Sequence, residues 1–166
     1  MTAHKLCFAD VAIGDEIPEL VRGPLTSVHL MRWSAATENW HRIHYDFPFA
    51  VEHDKLPGLL IHGDLKLQFV FKCLMDWVGD NGWVWKVSAQ FRDVNLAGQT
   101  LTIWARVLER ERAKDFGVVN LLIGIRNEDG DESIRGSAVV ALPYRGGPAV
   151  PYPFQPAETA KVAEEA

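Results

Sequence analysis

The stretch from Gly63 to Val78 is apolar on every side of a helix, and that limits what can surround it. Leu67, Val70, Phe71, Leu74 and Val78 keep helical spacing, while Leu65, Phe69, Met75 and Trp77 add apolar surface on the other sides. A helix of that kind is buried on most of its circumference, so the rest of the chain has to wrap it. Four runs that follow are rich in β-branched and aromatic residues: Trp83 to Val94, Leu101 to Glu109, Val118 to Arg126 and Ser133 to Leu142. In the second of them Leu101, Ile103, Ala105 and Val107 alternate with Thr102, Trp104 and Arg106, the period of a strand with one face buried. Asn127-Glu128-Asp129-Gly130 and Ala97-Gly98 mark turns between runs. The expected class is α+β: one long buried helix, then an antiparallel meander curled around it.

Upstream, Thr26 or Ser27 can cap a first helix running to about Thr37, with Leu30, Trp33 and Ala36-Thr37 on its apolar face. Val11 to Arg22 reads as a loop and a short strand, and Phe47 to Pro57 as irregular chain. Residues 1–145 are expected to form one domain, and 146–166 a Pro-rich and then Ala/Glu-rich tail. The net charge of −5 argues against nucleic-acid and acidic-membrane partners, which select basic patches. The longest apolar run, Phe69 to Val78, is broken by Lys72 and Asp76 and cannot span a bilayer. Cys7 and Cys73 stand alone, with neither metal spacing nor a disulfide framework. Met1 to Asp10 carries no signal-peptide core. Both features fit a reducing, cytoplasmic location.

The chemistry concentrates in Asn39-Trp40-His41-Arg42-Ile43-His44-Tyr45-Asp46. His44 is a candidate general base, because imidazole titrates closest to neutral pH. Gly63, opening the long helix, is a candidate oxyanion donor, because N–H groups at a helix N-terminus favour developing negative charge. His41 divides between scaffold and chemistry, and His62 reads as a ring that fixes the turn before the helix. Trp40, Trp83 and Trp85 divide between core packing and the lining of an apolar tunnel. His41, His44 and Asp46 find no further ligand in the sequence, so no metal is expected.

These elements together resemble the MaoC-like acyl-CoA dehydratases and hydratases of the hot-dog superfamily. The resemblance covers roughly Phe8 to Pro143. It rests on Asn39 to Ala50, the His62-Gly63 pair, Phe91 with Ala97-Gly98-Gln99, and the Asn127 to Gly130 turn with Gly136-Ser137-Ala138. It implies a hot-dog fold and reversible hydration of enoyl-CoA to 3-hydroxyacyl-CoA, in the sphere of fatty-acid metabolism. The (R)-specific hydratases of this family share an Asp-x-Asn-Pro-(Ile/Leu)-His pattern. On this chain its histidine falls on His44, its apolar residue on Ile43, its proline on Arg42, its asparagine on His41 and its catalytic aspartate on Asn39. The oxyanion glycine falls on Gly63 and a downstream alanine on Ala50. Catalytic roles are thus expected of His44, Asn39, Gly63 and His41, and substrate contacts of Tyr45, Asp46, Trp40 and His62. The resemblance implies no metal or redox cofactor, coenzyme A as the substrate's carrier, and a homodimer or higher oligomer.

Asn39 departs from the family pattern, since an amide cannot exchange the proton that the carboxylate does; it can still orient a water or hold His44 in one tautomer. Three other functions stay open. The chain is a weakly catalytic subunit of a heteromeric dehydratase, or a hot-dog thioesterase using Asp64 or Asp76, or a non-enzymatic binder of acyl thioesters.

Overall fold

The computed structural model describes residues 6–151. The long helix, α2, spans Gly63–Val78, the bounds its sequence predicts. A shorter helix, α1, precedes it at Ser27–Thr37, capped by Thr26. Five strands follow the chain as β1 (Leu20–Arg22), β2 (Trp83–Phe91), β3 (Leu101–Arg112), β4 (Phe116–Arg126) and β5 (Glu132–Pro143). All pairings are antiparallel, in the order β1-β3-β4-β5-β2. This is the hot-dog arrangement: a curved sheet holding a central helix against its inner face.

Two expectations change. The meander holds for β3, β4 and β5, but β2 does not join β3. It pairs along β5, with Val87 opposite Ala138 and Phe91 opposite Ile134. The crossover after Phe91 then carries the chain past the opening turn of α2, where Ile61 N–H donates to the Asn95 carbonyl (2.8 Å). The helix is also less enclosed than its apolarity suggests. Leu65, Lys66, Val70, Cys73, Leu74 and Val78 are buried, whereas Leu67, Phe69, Phe71 and Trp77 are half-buried and Met75 is exposed. One sheet has one inner face, so within a single chain it covers one side of a helix.

The core lies between that side of α2 and the inward residues of the sheet, among them Leu101, Ile103, Leu121, Ile123, Ile125 and Val140. In α1 the buried positions are Leu30 and Ser34, while Ala36 and Thr37 are exposed. The segment expected to be irregular contains one π-helical turn, Phe49–His53, whose first N–H is accepted by Asp46 Oδ1 (3.1 Å). No helix among the described residues is long and apolar enough to cross a membrane. Of the 146–166 tail, residues 152–166 lie outside the described residues.

Candidate active site

Helix α1 ends because Glu38 adopts a left-handed conformation (φ 53°), which turns the chain outward. Asn39 follows, and its Oδ1 accepts a hydrogen bond from His41 N–H (3.3 Å), a short Asx turn. A single 3-10 turn, Arg42–His44, then drives His44 inward, so that only 8% of it is exposed. His41, at the head of that turn, stays on the surface.

His44 Nδ1 lies 2.8 Å from the Leu60 carbonyl oxygen. A carbonyl can only accept, so Nδ1 carries the proton and Nε2 keeps a lone pair. That is the tautomer a general base needs. Burial lowers the His44 pKa; the Leu60 hydrogen bond and the Asp64 charge oppose that shift, and His41 adds to it. The ring is therefore neutral at physiological pH.

Behind His44 stands His62. The two rings stack with centroids 3.6 Å apart and planes 17° from parallel. His62 is fully buried, and burial together with His44 pushes its pKa down to about 4. Its Nε2 meets Ser34 Oγ at 2.9 Å. Its Nδ1 is buried without a partner. An unpaired N–H costs more than an unpaired lone pair, so the His62 proton sits on Nε2 and is donated to Ser34. The substrate contact expected of His62 is corrected here: with no surface of its own, it supports His44 from behind.

His62 is also the residue before α2, so the His44 ring lies against the positive end of the central helix. In the first turn, Leu65 N–H is taken by Asp64 Oδ1 (3.0 Å), and Lys66 N–H by the His62 carbonyl (3.1 Å). Among the described residues the Gly63 N–H has no acceptor. A Cβ on Gly63 would come within 3.1 Å of the Phe91 ring, so glycine lets β2 approach the helix closely here. The site thus joins a proton acceptor to an open backbone donor, which together can act on a polarised carbonyl and its neighbouring carbons.

The remaining expected residues have local partners. Tyr45 OH donates to the Trp40 carbonyl (2.9 Å). Asp46 receives the Arg42 guanidinium (2.7 and 3.0 Å), and that cation, with the Phe49 N–H, holds its carboxyl below the usual range. Trp40 is 55% exposed. The tryptophan beside an apolar groove is Trp33, which lines a space of about 260 Å³ with Leu25, His29, Arg32, Leu65 and Phe69. Sequence reading missed Ser34 and Trp33 in these places, because both look like ordinary helix residues until α1 is set against α2.

Comparison with known proteins gives this geometry a lineage. A model of the hydroxyacyl-thioester dehydratase type 2 family matches residues 17–98, the portion holding α1, His44, α2 and the crossover. In sequence and fold the chain is similar to the MaoC-like hot-dog dehydratases. This MaoC-like chain is 56% identical over 36 residues to a mesaconyl-C(4)-CoA hydratase of Chloroflexus aurantiacus; the match spans 22% of the chain and 13% of that protein's length. Its fold is similar to that of the R-hydratase PhaJ1 from Pseudomonas aeruginosa, with a TM-score of 0.75 and 18% identity, over 85% of this chain and 88% of that one. It is also similar to the ChsH1-ChsH2 complex of Mycobacterium tuberculosis, with a TM-score of 0.69 and 16% identity, over 79% of this chain and 98% of that one.

Proposed function

We propose that this MaoC-like chain reversibly hydrates trans-2-enoyl-CoA thioesters to 3-hydroxyacyl-CoA, with no metal or redox cofactor. The observation that carries the reading is the Nδ1 hydrogen bond of His44 to Leu60, which leaves a basic Nε2 beside the N-terminus of α2. His44 Nε2 takes a proton from water as the water oxygen bonds to C3. The C2=C3 electron pair moves toward the thioester, and charge grows on the carbonyl oxygen. The Gly63 N–H favours that charge, which is larger in the transition state than in the substrate. A proton then returns to C2 and His44 is neutral again. Asn39, one turn away in the same loop, orients the water. The family match and the hydratase names among the relatives support the same reading.

The test is loss of enoyl-thioester absorbance with purified protein alone, using a short and a long enoyl-CoA. We expect turnover by the unmodified chain and a loss of about 10²–10⁴-fold in His44→Ala, the usual cost of removing a general base. A folded chain that hydrates neither substrate refutes a self-sufficient hydratase.

A second reading has an observation behind it. Asn39 lacks the carboxylate of the family pattern, and one of the similar folds is found in a two-component complex. On that reading the chain is a subunit whose partner supplies an acid/base carboxylate, and turnover appears only when a co-purifying partner is added. Either assembly, homomeric or heteromeric, suits a chain with open sheet edges.

A further inference from the structure

The Leu60 carbonyl that fixes His44 belongs to a short strip of chain held from both sides. On one side Leu60 N–H donates to the Ile43 carbonyl (3.0 Å), while its own carbonyl receives His44 Nδ1. On the other, Ile61 N–H donates to the Asn95 carbonyl (2.8 Å) and Ala97 N–H to the Leu59 carbonyl (2.9 Å). Leu59 to Ile61 is thus the middle ply of a three-ply ribbon, between the histidine turn and the crossover from β2 to β3.

The crossover has no regular structure of its own, and what pins it is a buried cation. Lys66, in the first turns of α2, is 2% exposed. Its Nζ donates to the Asp93 carbonyl (3.1 Å) and to Asn95 Oδ1 (3.0 Å). Asn95, also 2% exposed, passes the contact on: its Nδ2 donates to Gln99 Oε1 (3.1 Å), which also accepts Leu96 N–H (3.0 Å). The Phe91 ring lies 5.9 Å from the ammonium. Burial costs a lysine charge heavily, and here it pushes the pKa down to about 8, opposed by Asp93. Packing alone is served as well by a leucine, so the polar group at this depth has work that packing does not supply.

Resting on the reading of His44 as the base, we infer that Lys66 is a positioning residue for it: by tying Asp93 and Asn95 to α2, Lys66 holds the Leu59–Ile61 ply, and so the Leu60 carbonyl, against His44 Nδ1. Lys66 reaches the chemistry only through this chain of contacts. Without it Asn95 loses its anchor, the ply loosens, and His44 loses the acceptor that selects its tautomer.

The experiment compares Lys66→Met, similar in length but without donors, with the unmodified chain and with Lys72→Met, a control on the exposed face of the same helix. The ¹⁵N resonances of the His44 ring report its tautomer directly. We expect Nδ1–H in the unmodified chain and in Lys72→Met, and a mixture with Nε2–H in folded Lys66→Met. Hydration kcat should fall roughly 10–100-fold in Lys66→Met, the scale of a small misplacement of a reacting group, with KM changed about twofold or less. A folded Lys66→Met that keeps pure Nδ1–H overturns the inference. If Lys66→Met does not fold, Asn95→Ala, which deletes the acceptor but keeps the lysine, carries the same two outcomes. The ring spectrum needs no substrate. An unmodified chain that shows Nδ1–H but hydrates nothing refutes the functional reading and leaves the Lys66 test intact.

Discussion

Asn39 stands where the pattern this chain resembles has its catalytic aspartate, and its surroundings tell what a carboxylate there would do. The Asn39 Oδ1 already acts as an acceptor, for His41 N–H at the exit of α1. Aspartate keeps that acceptor; alanine removes it, at about 0.5–2 kcal/mol as for other lost caps. Asn39→Asp should therefore fold as well as the unmodified chain and keep or raise hydration, since a carboxylate steadies the imidazolium of His44. Asn39→Ala should lower turnover markedly. Equal rates for all three would remove Asn39 from the mechanism. The pH dependence belongs to His44. A base works unprotonated, so kcat/KM should hold to a pH below the ordinary imidazole value of 6.5 and fall on further acidification. An acid limb centred above 6.5 would contradict the burial of this ring.

The positions of His44 and Gly63 were legible because short-range pattern sets them: a turn with two histidines, and a glycine opening an apolar run. Ser34 and Lys66 were not. A serine and a lysine within helices look like solvent-facing residues, and their partners lie 28 and 29 positions away. Only the tertiary fold turns them inward.

Among the elements, α2 unites core and chemistry. Its buried stripe holds the sheet while its first turn offers the Gly63 N–H. Gly63→Ala separates the two. Alanine is favoured over glycine in a helix by about 1 kcal/mol, which offsets the few tenths of an ångström that the exposed Phe91 ring must yield. Thermal stability should change little, while kcat falls because the displaced ring and the new methyl crowd the approach to the donor. A kcat equal to that of the unmodified chain would move the oxyanion site elsewhere. The bounds of α2 and the existence of the β3–β5 hairpins were readable from period and turn residues, although β3 runs past Glu109 to Arg112 and β4 starts at Phe116 rather than Val118. The place of β2 was not, because its own alternation fits an edge beside β3 as well as one beside β5. That choice is made by the crossover, whose Asn95 and Ala97 pair with Leu59–Ile61 beside the start of α2.

At the scale of the whole molecule, the described residues leave two sheet edges, β1 and β2, and one flank of the central helix uncovered. Unpaired edges invite pairing, and a second copy of the chain can supply it. Light scattering at micromolar concentration should give about twice 18.6 kDa or more, and a monomer would count against both assemblies proposed above. Stability should also depend on acid. His62 has a pKa near 4 when folded and an ordinary 6.5 when unfolded, so between these values the unfolded chain binds more protons. Its contribution, about 3 kcal/mol at most, is complete above pH 6.5 and is lost as the pH falls toward 4. His44 acts in the same direction. Urea midpoints at pH 7 and pH 5 should therefore differ, with the lower at pH 5, and His62→Gln should flatten the difference.

The strand order has a consequence for how the chain is made. β2 leaves the ribosome soon after α2, but its one partner among the described residues, β5, is the last of the described strands to emerge. At about 5–20 residues per second, the interval between Phe91 and Pro143 lasts roughly 3–10 s. Throughout it, the apolar face of α2 has no finished sheet to cover it. The nascent chain is therefore most exposed to misassociation when it is already long enough to contain its whole active site, and a pause in translation between β4 and β5 should lower the yield of folded protein more than a pause before β2.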